Sequence, residues 1–356
     1  MKLKGLILHG GHGTRLRPLT HTGPKQLLPI ANKPMSQYGI EAMKSAGIKK
    51  IAIIIGGNGS NKVREYYGTG EKFGLDFTYI EQDYPRGIAH AVSLCEEFVG
   101  KEKFMVFLGD NILIDNFTES IHNFEKTDID ASIVLCEVDN PSRFGIADVK
   151  DGKIIKIIEK PKNPPTNLAV IGVYLFKPSI FNIIKKLKPS WRNEYEITDA
   201  LQMLLEQNGT IVYDIVKENW KDTGTPEDII DANKIILKDL QPYFLGLKEE
   251  GALISGNVLV GENTIIKKDC TLIGPVIIGS NCIIDSGANI GPNTSIGNDS
   301  KISKCQITDS IIMSNCILDC DIKIKNSIIS ANSHIQKNIE KDEKTLLLGE
   351  GTKITL

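Results

Sequence analysis

Apolar residues follow two different rhythms along the 356-residue chain. In the first part, short apolar runs alternate with amphipathic stretches. Gly5-Leu6-Ile7-Leu8 reads as a buried strand that runs into a glycine-rich loop. Pro34 to Ala46 reads as a helix, with proline near its start, Met35, Tyr38, Ala42 and Met43 on one side, and Gly47 as its stop. Ile51 to Ile55 is a run rich in β-branched residues, the mark of a strand covered on both faces. Phe77–Ile80, Phe104–Leu108 and Ser132–Leu135 repeat the type. Such alternation predicts an α/β sandwich around a mostly parallel sheet, with ligands at the carboxyl ends of its strands.

Near residue 250 the rhythm changes. Val260, Ile266, Leu272, Ile278, Ile284, Ile290, Ile296 and Ile302 recur at a spacing of six. Small residues fall four places after many of them: Thr264, Cys270, Val276, Cys282, Ala288, Thr294 and Ser300. After a short slip the spacing resumes at Ile312, Leu318 and Ile324. A period of six is neither helix nor ordinary strand. It predicts a parallel β-helix of triangular coils, one hexapeptide per side, with the aliphatic residue pointing inward. Cys270, Cys282 and Cys316 then become small buried residues rather than redox groups. A helix through Ile229, Ala232, Ile236 and Leu240 precedes a linker at Leu240 to Gly251, which predicts domains at 1–240 and 252–356.

Charge narrows the function. With 44 acidic against 42 basic residues the formal net charge is −2, so no global field points to nucleic acid or to an anionic membrane. Phosphate chemistry must rest on a few placed cations. The N-terminus enters a strand directly, the apolar run there is too short for a signal peptide, and no stretch approaches a membrane span. The seven cysteines show no C-x-x-C pair or zinc spacing, which fits reduced thiols in a cytoplasmic protein.

The first strand leads into Leu8-His9-Gly10-Gly11-His12-Gly13-Thr14-Arg15-Leu16-Arg17-Pro18. Glycines let backbone N–H groups turn toward an anion without Cβ obstruction. A dinucleotide-binding loop needs a third glycine where Leu16 stands, and a Walker loop needs Gly-Lys-Ser/Thr; both are absent. Present instead are Arg15, a planar donor fork, and Lys25 ten residues on, a point charge. The two make a sensible pair for a triphosphate.

Gly10-Gly11-x-Gly13-Thr14-Arg15-Leu16-x-Pro18, Pro24-Lys25-Gln26-Leu27-Leu28-Pro29 and Lys33-Pro34-Met35 resemble the signature of glucose-1-phosphate thymidylyltransferases. The hexapeptide tail makes the chain similar to the long form of that family. His9 departs from it, standing where the family usually has alanine. The resemblance implies a Rossmann-like nucleotidyltransferase domain with a mixed, mostly parallel sheet, followed by a left-handed β-helix, in a homo-oligomer. It implies nucleotide binding by Leu8, Gly10, Gly11, Gly13, Thr14, Arg15 and Lys25, with Gln82 and the Gly87 backbone against thymine or uracil. It also implies Mg²⁺ on Asp110 and Asp222. Carboxylates at strand ends suit that ion, which takes one or two of them plus phosphate oxygens. For the sugar phosphate it implies Asn111, Gly145, Glu159, Lys160, Val170 and Tyr174. Arg192 either reaches the sugar phosphate or braces a helix start.

The expected chemistry is transfer of a nucleotidyl group from dTTP, or UTP, to glucose 1-phosphate. The attacking phosphate oxygen is already an anion, so no general base is required. Catalysis rests on positioning and on charge neutralisation by the metal, Arg15, Lys25 and Lys160. His9, His12 and His90 receive no acid–base role. An acyltransferase β-helix would need a base in its coils, yet His334 is the only histidine after residue 250. A non-catalytic regulatory relative would be expected to lose the charged residues that this chain keeps.

Overall fold

The structure, a computed structural model of the chain, describes residues 3–11, 13–57, 59–113, 118–216, 220–336 and 351–354. It divides into two compact units that do not follow chain order. The first comprises Met1–Gly13, Thr22–Leu27 and Met35–Asp222; the second comprises Thr14–His21, Leu28–Pro34 and Thr223–Leu356.

The first unit is built on a nine-stranded mixed sheet. Its main path runs Lys153–Glu159, Gly145–Lys150, Leu168–Phe176, Phe104–Leu108, Lys4–Leu8, Lys50–Ile55, Asp76–Glu81. Ala131–Glu137 pairs with Leu168–Phe176, and Ile211–Val216 pairs with Ala131–Glu137. All but Leu168–Phe176 and Lys153–Glu159 point the same way. Successive residues of the central strands face opposite sides, and both sides are covered. Leu6, Leu8, Ile54, Phe104 and Val106 enter one apolar core, whereas Ile7, Ile53, Met105 and Phe107 enter the other. That is why these strands read as continuous apolar runs rather than alternating ones.

The helix expected at Pro34 to Ala46 spans Met35–Ser45, burying Met35, Gly39, Ile40 and Met43. A Cβ on Gly39 would lie 2.6 Å from the Phe107 ring, so glycine lets this helix settle on the sheet. Gly47 follows at φ 82°, a left-handed position that glycine takes without cost.

The second unit carries a parallel β-helix of three sheets with six, five and five strands, as expected of a left-handed hexapeptide coil. Leu253 pairs with Thr271, Val258 with Val276 and Ile265 with Ile283, so one turn takes eighteen residues, three hexapeptides. Every aliphatic residue of the six-spaced series from Val260 to Ile302 is fully buried. The small residues are buried too, Cys270 and Cys282 among them. Triangular corners need a left-handed backbone, and Asn263, Asp269, Asn281, Asn293 and Asp299 supply it at φ between 58° and 62°. Asparagine and aspartate bear that conformation best after glycine.

The slip also has a physical form. Ile290 pairs with Ile307, and Ile296 with Ile312, so the coil shortens to seventeen and then sixteen residues. Ile307, absent from the six-spaced series, fills the core place at full burial. The expected linker is likewise more structured than its sequence suggests. Leu247–Lys248 pairs in parallel with Ile265–Ile266, and the Leu245 and Glu249 amides donate to Val260 and Ile266. This segment closes the open edge of the first coil, where unpaired backbone would otherwise invite another strand. The preceding helix, Pro226–Asp239, begins with proline after a reciprocal Thr225–Asp228 capping box.

Candidate active site

In the first unit the expected residues gather at strand ends. Leu8 closes its strand, buried between Ile54 and Leu108. Gly10 comes next, where an added Cβ would lie 3.1 Å from Gln82 Oε1. Gly11 has φ 101° with nothing within 4 Å of its Cβ position, and Gly13 has φ 57°. At Gly11 backbone conformation, not crowding, demands glycine. His12 lies outside the described residues. Gln26 is buried and donates from Nε2 to the Gly10 carbonyl at 3.1 Å, pinning the loop.

His9 is buried as well, and neither ring nitrogen finds a hydrogen-bond partner among the described residues. Burial pushes its pKa down to about 3 against the opposing pull of Asp110, so the ring is neutral at physiological pH. Thr14 and Arg15 belong to the second unit. They begin a single 3-10 turn, Thr14–Leu16, that buries Leu16 and leaves both of them exposed.

Lys25 forms an ion pair with Asp110, just past the end of Phe104–Leu108. Burial alone would raise the Asp110 pKa, but the Lys25 ammonium and hydrogen bonds from Lys25 and Asn111 hold it below the usual carboxylate range. Asn111 donates to Asp110 Oδ1 at 3.1 Å and accepts from Trp220 Nε1 at 2.6 Å. Asp222 stands directly opposite Asn111 in the two-stranded pairing of Asn111–Leu113 with Trp220–Asp222. Strand pairing thus sets Asp222 across from the residue that follows Asp110, about 110 positions earlier in the sequence. Among the described residues no group of three or more His, Cys, Asp or Glu side chains gathers to hold a metal. The Asp110–Asp222 pair, with hard oxygen donors only, suits an ion that completes its shell with phosphate oxygens and water.

A second cluster forms around Glu159, the last residue of its strand. Thr198 donates to Glu159 Oε2 at 2.9 Å, and Lys160 Nζ and Arg192 Nη1 lie 3.6 and 3.5 Å from Oε1. Arg192 also meets Glu194 at 2.9 Å and Glu196 at 3.2 Å. Burial and the Glu196 charge push the Glu159 pKa up against Thr198, Lys160 and Arg192. Lys160 sits at φ 40° with its amide bonded to Phe144. Gly145 leaves no room for a side chain: a Cβ would be 2.4 Å from Thr198 Cγ2 and 3.1 Å from Glu159 Oε2.

Val170 is buried in the neighbouring strand, and Gly172 keeps clear of Asn111, whose Cγ would be 2.9 Å from an added Cβ. Tyr174 is a core residue, stacked on Phe176. Burial and the charges of Glu159, Asp110 and Glu196 raise its pKa, which places the phenol within electrostatic reach of both clusters.

Gln82, also buried, follows the Asp76–Glu81 strand and holds His90 Nδ1 at 2.9 Å through Nε2. Gly87, at φ 103°, passes so near the Tyr195 backbone that a Cβ would be 2.5 Å from its carbonyl oxygen. Tyr195 N donates to Arg86 O at 2.7 Å, and Ala89 N to Tyr195 O at 3.0 Å. The loop after Gln82 is therefore laced to the segment carrying Arg192 and Glu196. Sequence reasoning assigned no role to Gln26, Thr198, Glu196, Gly172 or His90. Each is an ordinary residue in a string, distinguished only by what folds against it.

A nucleotidyl transferase family model matches residues 4–239, and a GMPPB C-terminal domain model matches residues 272–355. The chain belongs to the nucleotidyl transferase family, and within it to the sugar-1-phosphate nucleotidyltransferases. It is 41% identical to the low-salt glycan biosynthesis nucleotidyltransferase Agl11 of Haloferax volcanii, over 99% of this chain and 100% of that one. It is 37% identical to the glucose-1-phosphate thymidylyltransferase of Streptomyces antibioticus, over 99% of each chain. A solved Bacillus anthracis chain, assigned as a glucose-1-phosphate thymidylyltransferase and holding sucrose, superposes with a TM-score of 0.64 at 40% identity, covering 68% of this chain and 98% of that one. Among the described residues no helix is long and apolar enough to cross a membrane.

Proposed function

We propose that this nucleotidyltransferase joins dTTP to α-D-glucose 1-phosphate, giving dTDP-glucose and pyrophosphate in a Mg²⁺-dependent reaction. The observation that carries the reading is the buried Gln82 amide, held beside Gly10 at the end of the glycine loop. An amide can both donate to and accept from a pyrimidine edge. Whole-length similarity to a thymidylyltransferase supports the same choice.

A phosphate oxygen of the sugar phosphate attacks the α-phosphorus in line, the bond to the β,γ-pyrophosphate breaks, and no proton must move. Asp110 and Asp222 would hold Mg²⁺, which would supply charge neutralisation at phosphate oxygens. The protein's part is positioning: Gly10, Gly11, Gly13 and Thr14 for the phosphates, Arg15 and Lys25 for their charge, Lys160 for the sugar phosphate. Glu159, in its ionised form, accepts from sugar hydroxyls between Gly145 and Val170. Residues 1–240 carry the chemistry, and the β-helix at 252–356 serves assembly and stability.

Pyrophosphate release over four triphosphates and several sugar phosphates tests this. The dTTP–glucose 1-phosphate pair is expected to give the highest kcat/KM, with UTP used less well. A maximum with ATP, CTP or GTP overturns the reading.

A further inference from the structure

We propose that His90 is a positioning residue for base recognition: it fixes which end of the Gln82 amide faces the nucleotide, and so sets the preference for thymine or uracil over cytosine. The inference rests on the reading of Gln82 as the residue that faces the base.

The contact is between two groups that constrain each other. Gln82 is 5% exposed, and its Nε2 lies 2.9 Å from His90 Nδ1. Its backbone is fixed on both sides: the Gln82 amide donates to Ile55 O, and Gly56 passes so close that an added Cβ would be 2.4 Å from Gln82 O. The other end of the side chain, Oε1, lies on the Gly10 side. An amide NH₂ only donates, so an imidazole nitrogen facing it must accept. His90 therefore carries its proton on Nε2, and Gln82 shows Oε1 away from the helix.

That orientation has a consequence for the base. N3 of thymine or uracil bears a hydrogen and needs an acceptor, which Oε1 provides. N3 of cytosine is itself an acceptor and meets Oε1 unfavourably. If Nδ1 gains a proton, it becomes a donor facing a donor, and the amide turns over. Gln82 then offers NH₂ to the base, the complement of cytosine N3.

His90 sits on a helix, Ile88–Ser93, that begins at Gly87. The groups around its ring are Arg86, Asp83 and Tyr195, the last with ring centres 6.3 Å apart. Burial and Arg86 lower its pKa against Asp83, which favours the neutral accepting form at neutral pH. Ser93 Oγ donates to the His90 carbonyl at 2.7 Å rather than to its ring.

The test measures kcat and KM for dTTP and dCTP, with glucose 1-phosphate saturating, in the wild type and in H90L, H90N and Q82L, each checked by a thermal melt. Loss of one buried hydrogen bond at the amide predicts a fall of about tenfold in the dTTP-over-dCTP ratio for H90L, carried by KM for dTTP. KM for glucose 1-phosphate is expected to stay put. In H90N the asparagine Oδ1 replaces the Nδ1 acceptor, and the ratio is expected within about threefold of wild type.

The wild-type ratio should also fall in acid, at a pH below the ordinary imidazole range because burial and Arg86 lower the His90 pKa, while in H90N it stays flat. If Q82L leaves the ratio unchanged, Gln82 does not face the base and the underlying reading fails. If Q82L erodes the ratio but H90L keeps it, the positioning role alone is overturned. Should H90L not fold, identical pH profiles for the wild type and H90N overturn it equally.

Discussion

The buried polar groups of the two units behave differently. In the β-helix they are small hydroxyls; several are answered by backbone, while Ser295 and Ser303 donate to the Asn233 and Asp319 side chains. Thr264 donates to Gly279 O at 2.7 Å and accepts from Cys282 N at 2.9 Å. Ser300 accepts from Cys316 N at 3.1 Å, and Ser310 from Ser327 N at 3.1 Å. In the first unit neutral amides such as Gln26 and Gln82 are joined by buried or half-buried charges that compete with one another, as Glu159, Glu194 and Glu196 do around Arg192, or pair closely, as Asp110 does with Lys25. The difference separates groups that complete the fold from groups that crowd one another. Hydroxyls that close backbone hydrogen bonds from coil to coil make structure. Crowded charges, with the Glu159 pKa pushed up by burial and by Glu196, mark where a ligand site is to be sought.

The comparison breaks most visibly at Asp222. We expect Asp222→Asn to abolish Mg²⁺-dependent turnover while the protein stays folded, because the role proposed for the carboxylate is to hold the metal. A variant that keeps wild-type rate and metal dependence removes Asp222 from the metal site.

Arg15→Lys sharpens the comparison, since Arg15 packs with the second unit yet belongs by motif to the phosphate loop. Lysine keeps the charge but not the fork. Losing one preorganised donor typically costs about 2.7–4 kcal/mol, roughly 10²–10³ in rate. Steady-state kinetics beside a thermal melt decide: a folded variant within about threefold of wild-type kcat, under ~1 kcal/mol of barrier, excludes a catalytic role.

The smallest effect is expected in the β-helix. Thr264→Val keeps the shape but leaves Cys282 N and Gly279 O without their partner. That should cost about 1–3 kcal/mol of stability, read as a lowered denaturation midpoint, with kcat unchanged. An equal loss of turnover would show that the coil takes part in the chemistry.

Much of this architecture is visible in the one-dimensional pattern. The six-residue period announces the coil because each side of the triangle repeats the same inward step, and a local repeat needs no long-range knowledge. The slip after Ile302 is harder to see, since two five-residue steps through Ile307 hide among ordinary isoleucines. The doubly covered strands are legible because sheet cores on both faces leave no polar alternation. The glycine loop is legible because few other residues take the backbone angles seen at Gly11 and Gly13. The linker was not, since Leu245 and Leu247 join the coil through backbone pairing that any residue type provides.

The chain's residues by themselves determined the two rhythms, the glycine loop and the placement of Asp110 and Glu159 at strand ends, because each follows from local period or local backbone need. Only tertiary structure decided which of those groups meet. Asp222 reaches Asn111 through strand pairing, Thr198 fills the space that Gly145 leaves beside Glu159, and His90 grips the amide of Gln82. None of these contacts has a sequence period. Each depends on where a distant element settles against the sheet, and packing rather than spacing sets that position.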